Sequence, residues 1–332
     1  MLEQNRKKIL SGMRPTGKLH LGHLVGALDN WVKLQEEYRC FFMIADWHAL
    51  MSEYEHTASI PDYILDNVLD WLSAGLDPEK STLFIQSEVP QHLELYMIFS
   101  CLTPLGWLER CPTYKEQLRE VKTRDLHTYA FLGYPVLQAA DILLYKADRV
   151  PVGEDQFPHL ELTREIGRRF NSLYKKEVFP EPGALLTQTP RLLGLDGRKM
   201  SKSYDNTINL SDSEEVIKAK VNSMITDPQR IKRTDKGHPE VCNVYAYYEV
   251  FLSGKKEEVD RGCRNATIGC TDCKKMFAQG LIEKLNPLHI KRQALAKDKK
   301  NIIAILEDGK QKAAAAARET IVQVKDAMKT SL

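Results

Sequence analysis

Residues 7–37 read KKILSGMRPTGKLHLGHLVGALDNWVKLQEE. KKILSG is a short strand, GMRPTGK is a turn built on Gly and Pro, and from there apolar residues recur at helical spacing up to Glu37. A strand that passes through a glycine-bearing loop into a helix is the opening unit of an α/β sheet. Gly12, Gly17 and Gly22 let the backbone come close to a ligand, and the unpaired N–H groups of the helix start favour phosphate. His20 and His23 stand three apart on the first helical turn, so both imidazoles can face one ligand. An ordinary strand–helix turn with surface histidines has the same local pattern, so this stretch alone does not fix a chemistry.

The rest of the chain extends the pattern. RCFFMIADWHAL (39–50), STLFIQSEV (81–89) and ADRVPVGED (147–155) are apolar runs that alternate with helical stretches at 59–75 and 157–173. Such alternation predicts a parallel sheet with helices on both faces. From about residue 212 helices dominate, ending in the Ala-rich KQKAAAAARETIVQVKDAMK (310–329). The expected organisation is an α/β domain over 1–190, completed by the C-terminal helices, and a smaller all-helical domain over 191–332.

Composition narrows the field. With 332 residues the chain buries a sizeable core. Lys plus Arg number 47 and Asp plus Glu 45, but residues 287–332 hold ten Lys/Arg against five Asp/Glu. The N-terminal MLEQNRKKILSG has no apolar run of signal-peptide length, and no segment reaches the roughly 18 apolar residues of a membrane span. The chain reads as cytoplasmic, without a membrane partner. Seven cysteines in a reducing compartment point away from a disulfide framework.

GLDGRKMSKSYDN (194–206) sets Lys199 and Lys202 on a loop after Gly194 and Gly197, which supply backbone freedom. Two ammonium groups on a mobile loop can close over a polyphosphate, where charge grows on a departing pyrophosphate. HLGH and KMSKS, about 180 residues apart, resemble the two signature motifs of class I aminoacyl-tRNA synthetases, with Leu21 where the first usually has Ile. The resemblance then spreads. CFFMIADWHAL, STLFIQSEVP, YPVLQAADILLY, VPVGEDQFPHLELTREIGRRFN and GRKMSKSYDN look like the bacterial tryptophanyl-tRNA synthetases, in the same order, over roughly residues 10–230.

That resemblance implies a Rossmann-type catalytic domain, a homodimer, and tryptophan activation by ATP followed by transfer to tRNA(Trp). It implies His20, His23, Lys199 and Lys202 as catalytic residues. ATP contacts fall to Arg14, Pro15, Thr16, Gly22, His23, Gly153, Glu154 and Asp155, and to Lys199, Met200, Ser201, Lys202 and Ser203, with Mg²⁺ bridging the phosphates. Attack of a carboxylate on a phosphorus needs no enzyme nucleophile, so positioning and fixed positive charge suffice. Glu154 and Asp155 suit ribose hydroxyls or an ammonium; a plain helix start has the same look.

An indole donates one N–H and accepts nothing, so its pocket needs one buried acceptor among apolar walls. Asp141 is the candidate, with Tyr134 and Gln138 on the same helix face, in a helix beginning near Pro135, and with Gln156 implied by the resemblance. The Tyr134, Gln138, Asp141 pattern also resembles the tyrosine enzymes. The Ala-Ala-Asp-Ile-Leu context and VPVGEDQ look like the tryptophan family, so the tyrosine enzyme is the runner-up.

Cys242, Cys263, Cys270 and Cys273 follow the spacing C-x20-C-x6-C-x2-C. Zinc and iron–sulfur clusters both use such sets. A subset of bacterial tryptophanyl-tRNA synthetases has a similar arrangement holding a [4Fe–4S] cluster near the anticodon site, which makes the cluster the expectation and zinc the alternative. Cys40, Cys101 and Cys111 lack such spacing and read as packing. PQRIKRTDKGH (228–238) and the basic C-terminal helices suit RNA phosphates or plain solvated faces. A non-catalytic protein built around the four cysteines, binding RNA or working in redox chemistry, is the alternative of another class.

Overall fold

The computed structural model describes residues 6–120, 125–153, 156–186, 192–198, 200 and 204–330. Strand β1 (Lys8–Met13) leads to α1 (Leu21–His23), which continues through a π-helical segment (Leu24–Leu28) into α2 (Asp29–Glu37). Next come β2 (Arg39–Ile44), α3 (Asp46–Glu53), α4 (Ile60–Ala74), β3 (Ser81–Ile85), α5 (Gln91–Leu102), α6 (Leu105–Glu109), α7 (Pro112–Glu120) and α8 (Tyr129–Leu144). β4 (Arg149–Val152), α9 (Phe157–Tyr174) and β5 (Gly183–Leu186) complete the sheet. Beyond it lie α10 (Glu214–Ser223), α11 (Asn243–Phe251), α12 (Lys256–Arg264), α13 (Cys270–Ala296) and α14 (Lys299–Met328).

The strands are all parallel, in the order β3-β2-β1-β4-β5. This is a Rossmann-type sheet, as the alternation of strands and helices predicts. The chain moves outward from β1 in one direction through β2 and β3, then returns to start β4 on the other side. A crevice opens where the order reverses, beyond the strand ends.

Period-two alternation along β2 distributes its side chains between two cores. Cys40, Phe42 and Ile44 join one with Trp31 and Trp71; Phe41 and Met43 join the other, beneath α5, α8 and α9. Phe42 stacks on Trp31 at 4.5 Å, and Phe41 on Tyr145 at 4.7 Å. Burial on both faces explains why CFFMI is apolar throughout. The first core continues into the helices after β5 through Tyr247, Tyr248, Phe251 and Phe277.

Helix α14 returns to the sheet. Ala313, Ala317, Ile321, Val324 and Ala327 are buried in the second core. Gly309 lets the helix touch the edge strand, since a β-carbon there would fall 1.8 Å from the Leu83 carbonyl oxygen. Lys310 pairs with Glu88 at 2.9 Å and Lys325 with Glu94 at 2.6 Å along the same seam. Helix α13 is tied to α4 by Arg292, which reaches both Asp66 and the fully buried Asp70. Strand β5 has no counterpart in the sequence reading: four residues at a sheet edge, three half-buried and Leu186 exposed, give too short a pattern.

Candidate active site

The switch between β1 and β4 holds a cavity of about 360 Å³. Leu10, Ser11 and Gly12 of β1 and Val150–Val152 of β4 form its sheet side, and α8 contributes Tyr134, Gln138, Asp141 and Ile142. Gln156, which precedes α9, closes another wall. The four residues assigned to tryptophan from the sequence, Tyr134, Gln138, Asp141 and Gln156, therefore border one cavity, as does Arg14. Helix α8 starts six residues earlier than Pro135 suggests. Thr128 caps it by accepting from the Phe131 N–H at 3.2 Å, and Pro135 lies within it, six residues after Tyr129.

Asp141 is buried beneath this cavity. Oδ2 lies 2.8 Å from His48 Nε2; Oδ1 accepts from Gln86 Nε2 at 2.8 Å and lies 2.6 Å from His92 Nδ1. Burial pushes its carboxyl upward, but the hydrogen bonds of His48 and His92 lead the influences that outweigh burial and hold it below its ordinary value. Tyr134 sits across the cavity with its hydroxyl 3.2 Å from Thr113 Oγ1 and 3.1 Å from His159 Nε2. Burial first, and Cys111 nearby, push that phenol up to about 12 although Thr113 opposes them, so it stays protonated. His48, Gln86, His92 and His159 were not singled out in the sequence. Their signal was position, because His48, Gln86 and His92 all follow closely on the C-terminal ends of β2 and β3, where such sheets place ligands.

The first motif follows β1 and opens α1. His20 and His23 pack ring to ring, 3.8 Å between centroids, and His23 Nδ1 accepts from the His20 backbone N–H at 3.2 Å. The segment that follows the second motif comes to meet them. Leu21 N donates to Ile208 O at 3.0 Å, Leu210 N donates to Leu19 O at 2.9 Å, and His20 pairs with Asn209 in an antiparallel bridge. A β-carbon on Gly22 would stand 3.1 Å from Met200 Sδ. Segments about 190 residues apart in sequence thus share a backbone ladder.

The loop base is pinned rather than free. Gly194 N donates to Arg198 O at 2.7 Å, and Leu195 N donates to Asn206 O at 2.9 Å. Asn243 Nδ2 holds Gly194 O at 2.8 Å, and Asn206, with Arg198, draws the half-buried Asp196 carboxyl down to about 2. Gly197 is required because the turn takes φ +76° there, but Gly194 serves as an anchor and not as the hinge its composition suggested. Thr16 N closes a turn onto Arg14 O at 2.9 Å, and Arg14 reaches Ser52 Oγ at 3.3 Å. Pro15 shares that turn, and Gly153 follows β4 directly. Glu154, Asp155, Lys199, Ser201, Lys202 and Ser203 lie outside the described residues.

A second constellation sits among the later helices. Cys242, Cys263, Cys270 and Cys273 border one small cavity of about 20 Å³ together with Arg230. Cys242 caps α11, and Cys270 and Cys273 occupy the first turn of α13; burial pushes the Cys242 and Cys263 thiols up and that of Cys273 up to about 12. Gly237 is needed beside them, as a β-carbon would meet Cys263 Sγ at 2.4 Å. Arg230 is 9% exposed; its Nη1 lies 3.6 Å from Cys263 Sγ, and Nη2 donates to Ile268 O and Arg233 O at 2.7 and 3.1 Å. Among the described residues no group of three or more His, Cys, Asp or Glu is arranged to hold a single metal ion.

Comparison with known proteins agrees with this geometry. The profile of the family described as "tRNA synthetases class I (W and Y)" matches residues 2–286. The tryptophan–tRNA ligase of Thermotoga maritima is 51% identical, covering 97% of this chain and 98% of its own; that of Ralstonia nicotianae is 42% identical, covering 97% and 98%. The crystal structure of tryptophanyl-tRNA synthetase from Campylobacter jejuni complexed with ADP and tryptophan superposes with a TM-score of 0.88 at 32% identity, covering 97% of this chain and 99% of that one. The chain belongs to the class I tRNA synthetases for tryptophan and tyrosine.

Proposed function

We infer that this member of the family is a tryptophan–tRNA ligase. It joins L-tryptophan to ATP, giving tryptophanyl-adenylate and pyrophosphate, and passes the tryptophanyl group to tRNA(Trp). The observation that carries this is Asp141, a buried carboxylate bordering the cavity at the switch of the sheet, with the first motif tied by the ladder between residues 19–21 and 208–210 to the segment that follows the second. Among the described residues no helix is long and apolar enough to cross a membrane.

We further assign the roles within the site. Asp141 accepts the indole N–H, while Tyr134, Gln138 and Gln156 meet the α-ammonium and carboxylate. A carboxylate oxygen of tryptophan attacks the α-phosphorus, the bond from that phosphorus to the bridging oxygen breaks, and pyrophosphate leaves. His20, His23, Lys199 and Lys202 stabilise charge on the departing phosphates, and Mg²⁺ enters with ATP as part of the substrate. In the second step a terminal ribose hydroxyl of the tRNA attacks the carbonyl carbon and AMP leaves. Exchange of labelled pyrophosphate into ATP tests the assignment: tryptophan supports it and tyrosine does not.

The four cysteines we read as the ligands of a [4Fe–4S] cluster, with zinc as the alternative. A cubane bonds each thiolate to a different iron, whereas a tetrahedral zinc ion draws its four sulfurs to about 2.3 Å from one centre. The reading is supported by the single cavity that all four border and by the buried Arg230, whose charge suits a site that is anionic once loaded. A cluster here supplies rigidity to the ends of α11, α12 and α13. The division at about residue 190 follows from this reading, with 191–332 holding the loop and the anticodon-binding helices; Lys232, Arg233 and Lys236 are exposed beside the cysteines for RNA phosphates. A homodimer is supported by Leu93, Met97, Leu105 and Tyr129, exposed apolar residues on α5, α6 and the start of α8. The free thiols and the tRNA substrate support a cytoplasmic enzyme.

A further inference from the structure

Asp141 is held by three partners, and their arrangement restricts what a ligand finds there. A carboxylate offers about four acceptor directions. On Oδ1, Gln86 and His92 take two; on Oδ2, His48 takes one. One direction on Oδ2 is left, and Asp141 borders the cavity. His92 does not border it. It is wholly buried, and its other nitrogen lies 2.8 Å from the hydroxyl of Tyr145, which is 1% exposed.

The chemistry of the chain fixes its proton positions. Burial, and Asp141 beyond it, push the Tyr145 phenol well above its ordinary value, so Tyr145 keeps its proton. Given to His92 Nε2, that proton sets His92 in the tautomer whose Nδ1–H points at Asp141. His48 donates from Nε2, which leaves its Nδ1 an acceptor. Asp141 Oδ2 and His48 Nδ1 then face the cavity as acceptors. An indole N–H, which donates and accepts nothing, is fully satisfied there. A phenol brings lone pairs that meet no donor there, and a buried polar group left unsatisfied is disfavoured.

We propose that His92, set in one tautomer by Tyr145, is a specificity-determining positioning residue that keeps Asp141 an ionised, acceptor-only floor, selecting an indole over a phenol without touching either. This rests on Asp141 being the indole acceptor, as assigned above.

Pyrophosphate exchange with His92→Leu, His92→Gln, Tyr145→Phe and Asp141→Asn tests it, with unfolding temperatures measured alongside. In His92→Leu the KM for tryptophan rises about tenfold and the preference for tryptophan over tyrosine falls by a similar factor, the size of one hydrogen bond to a charged group. The KM for ATP stays put. His92→Gln, which keeps an N–H donor, recovers most of the loss, and Tyr145→Phe shows a smaller rise of the same kind. Equal rises in both KM values, or a lowered unfolding temperature with an unchanged tryptophan KM, overturn the proposal. If Asp141→Asn raises the tryptophan KM while the His92 and Tyr145 variants do not, His92 alone is misassigned. If Asp141→Asn also leaves it unchanged, the indole assignment itself fails. Should His92→Leu not fold, Tyr145→Phe decides, and an unchanged tryptophan KM there counts against the relay.

Discussion

Met200 of the second motif stands over Gly22 of the first: a β-carbon added at Gly22 would lie 3.1 Å from the Met200 sulfur and 3.0 Å from the His20 ring. Nothing larger than hydrogen fits there without displacing one of the two. Gly22→Ala is expected to lower kcat for adenylate formation at least about tenfold, because sub-ångström misplacement of phosphate-binding groups is costly in rate. Its unfolding temperature should remain near that of the parent, since a shift of a few tenths of an ångström by either neighbour makes room. A stopped-flow burst of adenylate measures the step directly. An unchanged burst would show that the motif contact is incidental.

Gly309 is where α14 meets the edge of the sheet, with the Leu83 carbonyl occupying the place of a side chain. Gly309→Leu forces the helix off β3, and the expected loss is about 3 kcal/mol, the upper end of overpacking costs. Urea unfolding followed by circular dichroism gives the value. Lys310→Ala, which removes only exposed ion pairs to Glu88 and Glu307, should change stability by less than about 1 kcal/mol.

Arg292 joins α13 to α4 through Asp66 and the buried Asp70. Arg292→Met leaves two carboxylates beside each other without a cation, and about 3 kcal/mol of stability should be lost. Adding Asp70→Asn to Arg292→Met should recover part of that loss, since the charge left unpaired is then gone. A double variant no more stable than Arg292→Met would show that the ion pair is not what the single change disturbs.

Metal content separates the readings of the cysteine site. Protein prepared without oxygen is expected to be brown and to contain iron and sulfide, and Cys270→Ala should be colourless. One zinc per chain in the anaerobic preparation would establish the alternative. Exchange activity with tryptophan should survive in Cys270→Ala more fully than tRNA charging, because no cysteine of this set borders the crevice.

The sheet and the outline of the site were legible in the sequence for different reasons. CFFMI and STLFI announce central strands because burial on both faces demands unbroken apolar runs. Tyr134, Gln138 and Asp141 were legible because one helix carries them at turn spacing. His92 was not, since it follows β3 in VPQH as a single histidine and acquires meaning only when the sheet sets it 2.6 Å from Asp141. The role of Gly194 differs for a related reason: composition reports freedom, while Arg198 and Asn243 supply the hydrogen bonds that remove it. Strand β5 and the reach of Arg292 to Asp70 likewise depend on tertiary neighbours that no local pattern encodes.

A crystal structure with a non-hydrolysable tryptophanyl-adenylate analogue tests the assembled site most directly. The account predicts the adenosine phosphate between His23 and the 199–203 loop, with the indole nitrogen within hydrogen-bond distance of Asp141 Oδ2. An analogue bound with its phosphate away from either motif, or with its indole directed elsewhere than Asp141, would contradict it.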